Sequence, residues 1–120
     1  MPKRIKKKKI LVTGASGFLG THLCAELTKQ SASVRSLGRR THSHLDELSV
    51  EQVLGSVTDL DACRRALDGV DTVYHLAGMV SRDRTDSGLM YAVHVRGTRN
   101  ILEATQDAGI KQIVVVSTSG

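Results

Sequence analysis

The sequence predicts an α/β fold built on a doubly wound, parallel β-sheet. Short apolar, β-branched runs alternate with longer stretches of helical periodicity, which is the pattern of consecutive βαβ units. Only Phe18, Tyr74 and Tyr91 are aromatic, whereas hydrophobic residues make up 40% of the 120 residues. A core of Val, Leu, Ile and Ala is typical of a sheet that helices cover on both faces. A chain of this length is expected to form one domain.

Each element follows from an apolar run or from a residue type that begins or ends a helix. In the stretch after the first strand, Leu19, Leu23 and Leu27 recur every four residues and form one apolar stripe. The five expected strands are at 9–13, 34–37, 50–54, 72–76 and 113–116, and the third is weak. The expected helices are at about 21–30, from an N-cap at Asp59 to Gly69, and at 88–108, where Gly109 closes the helix. A polar, basic loop is expected at 38–44 and a polar loop over the site at 81–87. Right-handed crossovers give the strand order 3-2-1-4-5.

The net charge of +5 is concentrated at the start of the chain. Six of the 17 basic residues lie within residues 3–9, so the remainder carries 11 basic and 12 acidic residues. We therefore expect residues 1–8 to form a basic leader, residues 9–120 to form the domain, and no nucleic acid to be a partner. No apolar segment is long enough to span a bilayer and no secretory signal is present, which favours a cytoplasmic protein without a membrane partner.

The cysteines and histidines predict neither a disulfide nor a metal site. Cys24 and Cys63 are far apart and fall on apolar helix faces, so we interpret both as reduced thiols of the core. His42 and His44 flank Ser43 in a polar loop, and two histidines without further ligands make a poor metal site. We expect no metal.

The end of the sequence favours an incomplete fold. Residues 113–116 read Ile-Val-Val-Val, which suits a strand with neighbours on both sides. An unpaired apolar edge is covered or blunted in most complete proteins. We therefore expect the sheet to be incomplete at the C-terminus.

Residues 13–20, Thr-Gly-Ala-Ser-Gly-Phe-Leu-Gly, are the most informative segment. Gly14, Gly17 and Gly20 are spaced G-x-x-G-x-x-G, slightly different from the G-x-G-x-x-G dinucleotide fingerprint, and lie between a strand and a helix. Glycine allows backbone to approach a ligand closely, and a helix N-terminus offers free N–H groups to an anion. An ordinary βα turn is the alternative interpretation. The segment predicts a Rossmann-type nucleotide site whose pyrophosphate is lined by Gly14, Ser16, Gly17, Phe18, Leu19 and Gly20.

The end of strand two indicates which dinucleotide is preferred. An acidic residue that holds a ribose 2′-hydroxyl is expected there, about twenty residues after the glycine turn. This sequence has Leu-Gly-Arg-Arg at 37–40 and no carboxylate before Asp46. A guanidinium can pair bidentately with a 2′-phosphate, so Arg39, with Arg35 or Arg40 as a further candidate beside it, favours NADP over NAD. The alternative is that these arginines belong to a solvated loop.

Four segments in order resemble the extended short-chain dehydrogenase/reductase family, which includes the NAD-dependent epimerases and dehydratases. They are residues 13–20, then Val-Tyr-His-Leu-Ala-Gly at 73–78, Val-Arg-Gly-Thr-Arg-Asn-Ile-Leu-Glu-Ala at 95–104, and Val-Val-Val-Ser-Thr-Ser at 114–119. The resemblance covers essentially the whole chain. It implies an NAD(P)-dependent oxidoreductase or epimerase that acts on a hydroxyl or carbonyl group of a small molecule by hydride transfer.

The same resemblance implies roles for several residues. Ser119 matches the hydroxyl that holds the substrate oxygen, with Ser117 and Thr118 as close alternatives. Val57 would present its backbone to adenine, and Ala77 and Gly78 would line the inner ribose. Small polar residues at the end of a strand are the alternative interpretation of the serine segment.

The family's catalytic Tyr-x-x-x-Lys, in which the lysine lowers the tyrosine pKa, does not occur in the 120 residues. Tyr74 is followed four positions later by Gly78, and Tyr91 by Val95. We therefore expect this chain to bind a cofactor and to be inactive alone. A non-catalytic NAD(P)-binding sensor, which would regulate a partner, is the alternative function.

Two residues depart from the family pattern. Ser56 stands where an aspartate commonly contacts adenine, although Val57 could still offer its backbone there. His94 stands where an asparagine usually precedes Val-x-Gly-Thr. Asparagine and histidine both donate and accept hydrogen bonds, so a role near the active site and a buried structural role both stay open.

Overall fold

The computed structural model describes residues 7–76 and 87–116. Strands and helices alternate along these residues. Their bounds are β1 (Lys9–Thr13), α1 (Phe18–Lys29), β2 (Ser33–Gly38), α2 (Ser43–Glu47), β3 (Glu51–Leu54), α3 (Leu60–Ala66), β4 (Thr72–Leu76), α4 (Ser87–Asp107) and β5 (Gln112–Val116). Residues 81–86 of the predicted polar loop and residues 1–6 of the basic leader lie outside the described residues, whereas Ser87, predicted as the last loop residue, begins α4.

The five strands form one parallel sheet in the order β3-β2-β1-β4-β5. On β1, Ile10 pairs with Val34 of β2 on one side and with Thr72 of β4 on the other. The predicted Rossmann-type sheet and its strand order are therefore confirmed. The chain runs outward from β1 to β3 and then crosses to β4 on the other side of β1, and this reversal of direction places a crevice at the carboxyl ends of β1 and β4.

Helices cover both faces of the sheet, as the apolar composition predicts. Leu11 and Val12 are adjacent on β1 and fully buried, and they belong to two different core clusters because successive strand residues point to opposite faces. The cluster of Leu11 includes Cys63 and that of Val12 includes Cys24. Both cysteines are free, and burial raises the pKa of each thiol to about 11. The predicted position of both cysteines in the core is confirmed.

The structure corrects the predicted elements at two places. Helix α1 begins at Phe18, three residues earlier than predicted, so that the glycine turn leads directly into it. The predicted loop at 38–44 gives way at Ser43 to α2, a helix of five residues that buries only Leu45. One buried residue leaves no periodicity to recognise. None of the described helices is long and apolar enough to cross a membrane.

The residues predicted to begin or end α3 and α4 have the expected cap geometry. The side chain of Asp59 accepts hydrogen bonds from the N–H groups of Asp61 and Ala62, as expected of an N-cap. Gly69 and Gly109 have φ values of +74° and +72°, which favour glycine after a helix. Asp59 thus marks the start of α3, and Gly69 and Gly109 follow the ends of α3 and α4.

Candidate functional site

A cleft of about 550 Å³ lies at the carboxyl ends of the strands, where the strand order reverses. Its size is that of a small-molecule site. Segments from all parts of the described sheet line it. They are residues 13–20, 36–40, 55–58, 75 and 76, together with His42, Leu45, Gln52, Val53, His94, Gly97 and Val116.

The glycine turn forms one wall of the cleft, and its three glycines differ in what they permit. Gly14 has a φ of +71°, and a Cβ there would lie 2.6 Å from the carbonyl oxygen of Leu76. A Cβ on Gly20 would overlap the Gly14 carbonyl oxygen and approach Ala15 Cα to 2.7 Å. At Gly17, a Cβ would meet a single atom within 4 Å, the Gly14 oxygen at 3.6 Å. Gly14 and Gly20 are thus required by the fold, whereas Gly17 faces open space.

The first turn of α1 presents free backbone donors to this cleft. Its N-cap is Gly17, which has no side chain to accept from the helix, and no acidic residue lies in the first turn. Within residues 7–76 and 87–116, nothing accepts from the N–H groups of Phe18, Leu19 and Gly20. Such a helix end carries partial positive charge and binds anions. The geometry fits a phosphate group beside Gly17.

The end of β2 forms the second wall and carries two exposed arginines. Arg39 and Arg40 line the cleft and form no ion pair within the part of the chain that the structure describes. Gly38 precedes them, and a Cβ there would meet only the Arg40 oxygen, at 3.7 Å. Two guanidinium groups without a described carboxylate partner make this end of the cleft positive.

Arg35 is not part of this wall, so its prediction as a cofactor ligand is wrong. Its side chain is only 8% exposed, and its Nε donates to Glu51 Oε2 over 2.9 Å. One terminal nitrogen donates to the carbonyl oxygens of Ala66 and Asp68, at 2.8 and 2.7 Å. These bonds use the Nε hydrogen and both hydrogens of one terminal nitrogen of the guanidinium. Arg35 joins β2, β3 and the end of α3, which is a structural role.

The third wall holds Val57, the predicted adenine contact. Its carbonyl oxygen accepts from Asn100 Nδ2 at 2.9 Å and from Cys63 Sγ at 3.4 Å. Its N–H donates to no described residue. A Cβ on Gly97 would come within 2.6 Å of Val57 Cγ2, so α4 approaches this wall closely. The carbonyl oxygen of Val57 is therefore engaged, whereas its N–H has no acceptor among the described residues.

The hydroxyl of Ser56 is engaged locally. Ser56 Oγ lies 2.7 Å from Thr58 Oγ1 and accepts from the Thr58 N–H at 3.1 Å. The side chain thus closes a tight turn beside Val57. It does not reproduce the free carboxylate that an aspartate would place there.

A buried histidine that the sequence analysis did not single out lies at the floor of the cleft. His75 Nδ1 is 2.5 Å from Thr13 Oγ1, and its Nε2 is 2.9 Å from Thr98 Oγ1. Burial, together with the nearby charge of His94, lowers the pKa of His75 to about 4. A neutral imidazole donates through one nitrogen and accepts through the other, so the two threonines hold the ring and join β1, β4 and α4.

The other predicted site residues divide into two groups. Ser16 and His94 line the cleft, and His94 is half-buried on α4 beside the His75 network. Ala77, Gly78 and Ser119, with Ser117 and Thr118, lie outside the described residues. The structure thus brings together the predicted pyrophosphate, Arg39 and Val57 positions around one cleft.

Comparisons with known sequences agree with this arrangement. The family model described as the NAD dependent epimerase/dehydratase family matches residues 10–120. A 3 beta-hydroxysteroid dehydrogenase/Delta 5-->4-isomerase of Mycobacterium tuberculosis is 35% identical over 117 residues, which cover 92% of this chain and 32% of that protein. Sterol demethylase protein B of Methylococcus capsulatus is 38% identical over 112 residues, with 92% and 34% covered. The chain spans about a third of the length of these relatives.

Solved structures show the same fold. A short-chain dehydrogenase/reductase superfamily protein from Agrobacterium tumefaciens, solved with bound NAD, is 36% identical with a TM-score of 0.76, over 89% of this chain and 31% of that one. UDP-glucose 4-epimerase from Bifidobacterium longum, solved with NAD+ and UDP, gives a TM-score of 0.83 over 93% of this chain and 37% of that one. Its identity is 24%, so this likeness shows the fold alone.

Proposed function

The chain belongs to the NAD-dependent epimerase/dehydratase family, and on this premise we propose that its cleft binds a nicotinamide adenine dinucleotide, with NADP preferred to NAD. Residues 9–120 would be the cofactor-binding domain, and residues 1–8 a basic leader. The whole protein would be an oxidoreductase or epimerase that acts on a hydroxyl or carbonyl group of a small molecule. The observation that carries this proposal is the glycine turn with its free helix N-terminus.

The described cradle fits a pyrophosphate in both space and charge. Gly17 leaves open space where any other residue would place a side chain. The free N–H groups of Phe18, Leu19 and Gly20 follow directly in the first turn of α1. Hydrogen bonds from backbone N–H groups to a charged oxygen are about twice as strong as neutral ones. Gly14, Ser16 and the first turn of α1 would therefore hold the pyrophosphate.

The adenosine would lie between the second and third walls. The free N–H of Val57 is suited to an acceptor nitrogen of adenine. Because the Ser56 hydroxyl is already engaged with Thr58, the adenine amino group would lack the carboxylate contact that the family commonly supplies. The inner ribose would lie against Ala77 and Gly78, by family resemblance.

The preference for NADP is supported by charge at the end of β2. Arg39 and Arg40 are exposed at the cleft, and no described carboxylate pairs with either. A carboxylate here would repel a 2′-phosphate, whereas a guanidinium pairs with it. The Agrobacterium tumefaciens relative was solved with NAD, so the arginines would give this chain a preference that the relative's bound cofactor does not predict.

The reaction would need more than the described cleft. A bound nicotinamide supplies hydride transfer, and Ser119 would hold the substrate oxygen. The 120 residues contain no Tyr-x-x-x-Lys, so we propose that this chain binds the cofactor without turnover when it is alone. His75, neutral and held between two threonines, would keep β4 and α4 in place at the floor of the cleft.

The same observation favours a second candidate, a non-catalytic NAD(P)-binding sensor. Such a protein keeps the cradle and needs no tyrosine base. It would bind NADPH as the enzyme does and would transmit the binding to a partner. A measurement of hydride transfer by the natural, full-length protein distinguishes the two functions. Transfer would support the enzyme, and cofactor binding without transfer would support the sensor.

Arg39→Glu tests the proposal at the adenosine end. We expect NADPH to bind at least about tenfold more weakly, because a charge-assisted contact is replaced by repulsion, while NADH binding changes little. Binding is followed by the fluorescence of the reduced nicotinamide. Lys111→Glu makes the same charge change before β5, at the opposite edge of the sheet, and should leave both affinities unchanged. Equal weakening of NADPH and NADH would remove Arg39 from the site.

A further inference from the structure

The two cleft arginines lie on a short arch whose ends are both fastened to β3 and the residue that follows it. At one end, the Gly38 carbonyl oxygen accepts from the Gly55 N–H at 2.9 Å. At the other end, the backbone of His42 is bound by the side chain of Gln52. Arg39, Arg40 and Thr41 lie between these ends and are exposed. The arch is thus hydrogen-bonded at both ends, Gly38 and His42, and exposed at the three residues between them.

Gln52 fastens His42 with its whole carboxamide. Its Oε1 accepts from the His42 N–H at 2.7 Å, and its Nε2 donates to the His42 carbonyl oxygen at 3.0 Å. The same Nε2 donates to Asp46 Oδ1 at 2.7 Å. Both amide hydrogens are therefore used, and the side chain has no donor left for a ligand. Gln52 lines the cleft, but the hydrogen bonds of its amide go to His42 and Asp46.

We propose that Gln52 is a positioning residue for cofactor selectivity, which holds the arch so that Arg39 and Arg40 meet the 2′-phosphate of NADP. The proposal rests on the proposed function, since it assigns a further residue to the same site. A flexible arch would carry the same two charges but would have to be ordered on binding. Order that exists before binding increases affinity because less conformational freedom is lost.

The structure makes this effect specific to the 2′-phosphate. The pyrophosphate cradle belongs to β1 and α1, and the adenine donor belongs to the segment after β3; neither touches the Gln52 amide through a described hydrogen bond. Loss of the amide therefore loosens the arginines and leaves the contacts that NADH shares with NADPH. The ratio of the two affinities is the quantity that should change.

Gln52→Met tests the proposal, because methionine keeps the length and the apolar stem and removes all three hydrogen bonds. We expect the preference for NADPH over NADH to fall about tenfold. Gln106→Met, an exposed position near the end of α4, is the matched control and should leave the ratio unchanged. Gln52→Asn is the second variant, since an amide one methylene shorter keeps the polarity of the strand but not the reach to both His42 atoms.

A double-mutant cycle separates positioning from general destabilisation. With Arg39 and Arg40 both replaced by Ala, Gln52→Met should no longer change the ratio, since the residues that it positions are gone. An unchanged ratio in folded Gln52→Met or Gln52→Asn overturns the inference, and so does the same change with and without the two arginines. If the double replacement of Arg39 and Arg40 by Ala itself leaves the ratio unchanged, the proposed preference for NADP fails and the inference fails with it.

Discussion

Gly17→Val is expected to abolish cofactor binding without harming the fold. Gly17 has φ −74° and ψ 176°, an extended conformation that valine adopts readily, and a Cβ there would meet one atom, at 3.6 Å. The added methyl groups would fill the space beside the free N–H groups of α1. The substitution is therefore directed at the ligand and not at the core.

The magnitude follows from the donors that the valine would block. Hydrogen bonds to charged groups contribute roughly 1.5–3 kcal/mol each. Loss of two of the three N–H contacts at Phe18, Leu19 and Gly20 would cost about 3–6 kcal/mol, which weakens binding at least about 100-fold. The free energy of unfolding should change by no more than about 0.5–1 kcal/mol, as for exposed sites.

The assay compares NADPH binding and thermal unfolding in the same samples. NADPH should raise the melting temperature of the parent chain and not that of the variant, because only a ligand that binds the folded state stabilises it. Ala108→Val, an exposed site just after α4, is the control for added bulk. A folded Gly17→Val chain that binds NADPH within about threefold of the parent would refute the assignment. Gly14→Val is a poor substitute, since a Cβ there lies 2.6 Å from the Leu76 oxygen at a φ of +71°, so the fold itself would be strained.

Two further predictions concern buried polar groups. Arg35→Met should lower the free energy of unfolding, measured in urea, by about 2–4 kcal/mol, because it leaves Glu51 and two carbonyl oxygens without their donor. The ratio of NADPH to NADH affinity should stay the same. A changed ratio would show that Arg35 does contribute to the cofactor site. The pKa of His75 is about 4 in the folded chain, below its ordinary 6.5. Between these pH values the unfolded chain therefore binds more protons than the folded chain. The stability that the neutral His75 contributes is consequently lost as pH falls from 6.5 towards 4. His75→Gln should flatten this part of the stability profile, and a parallel profile would contradict the lowered pKa.

The fold was predictable because its signals are local. Alternating apolar runs, three glycines between a strand and a helix, and the caps at Asp59, Gly69 and Gly109 are all visible within short windows of sequence. Helix α2 was missed for the same reason, since five residues with Leu45 as their one buried member carry no period.

The site was predictable only where its residues act through the backbone or through an isolated charge. The glycine turn and Arg39 were expected at the cleft and line it. Arg35 was misassigned because its partners, Glu51 and the carbonyls of Ala66 and Asp68, lie 16 to 33 positions away. No local pattern shows that a strand arginine is already satisfied.

His75 and Gln52 were missed for a related reason. His75 bonds to Thr13 and Thr98, which are 62 and 23 positions away, and Gln52 reaches His42 across ten positions. The His75–Thr13 pairing depends on the register of β1 and β4, the His75–Thr98 pairing on where α4 packs, and the Gln52–His42 pairing on the path of the loop after β2. Side chains that act by holding other residues emerge only when the elements are placed side by side.

Titration of the purified 120-residue chain with NADPH and with NADH tests the central claim most directly. The account predicts saturable binding of both, with NADPH bound more tightly because Arg39 and Arg40 lie at the end of β2 without described carboxylate partners. Binding of NADPH should also raise the melting temperature. A folded chain that binds neither dinucleotide would contradict the assignment of the cleft, and tighter binding of NADH would contradict the role of the arginines.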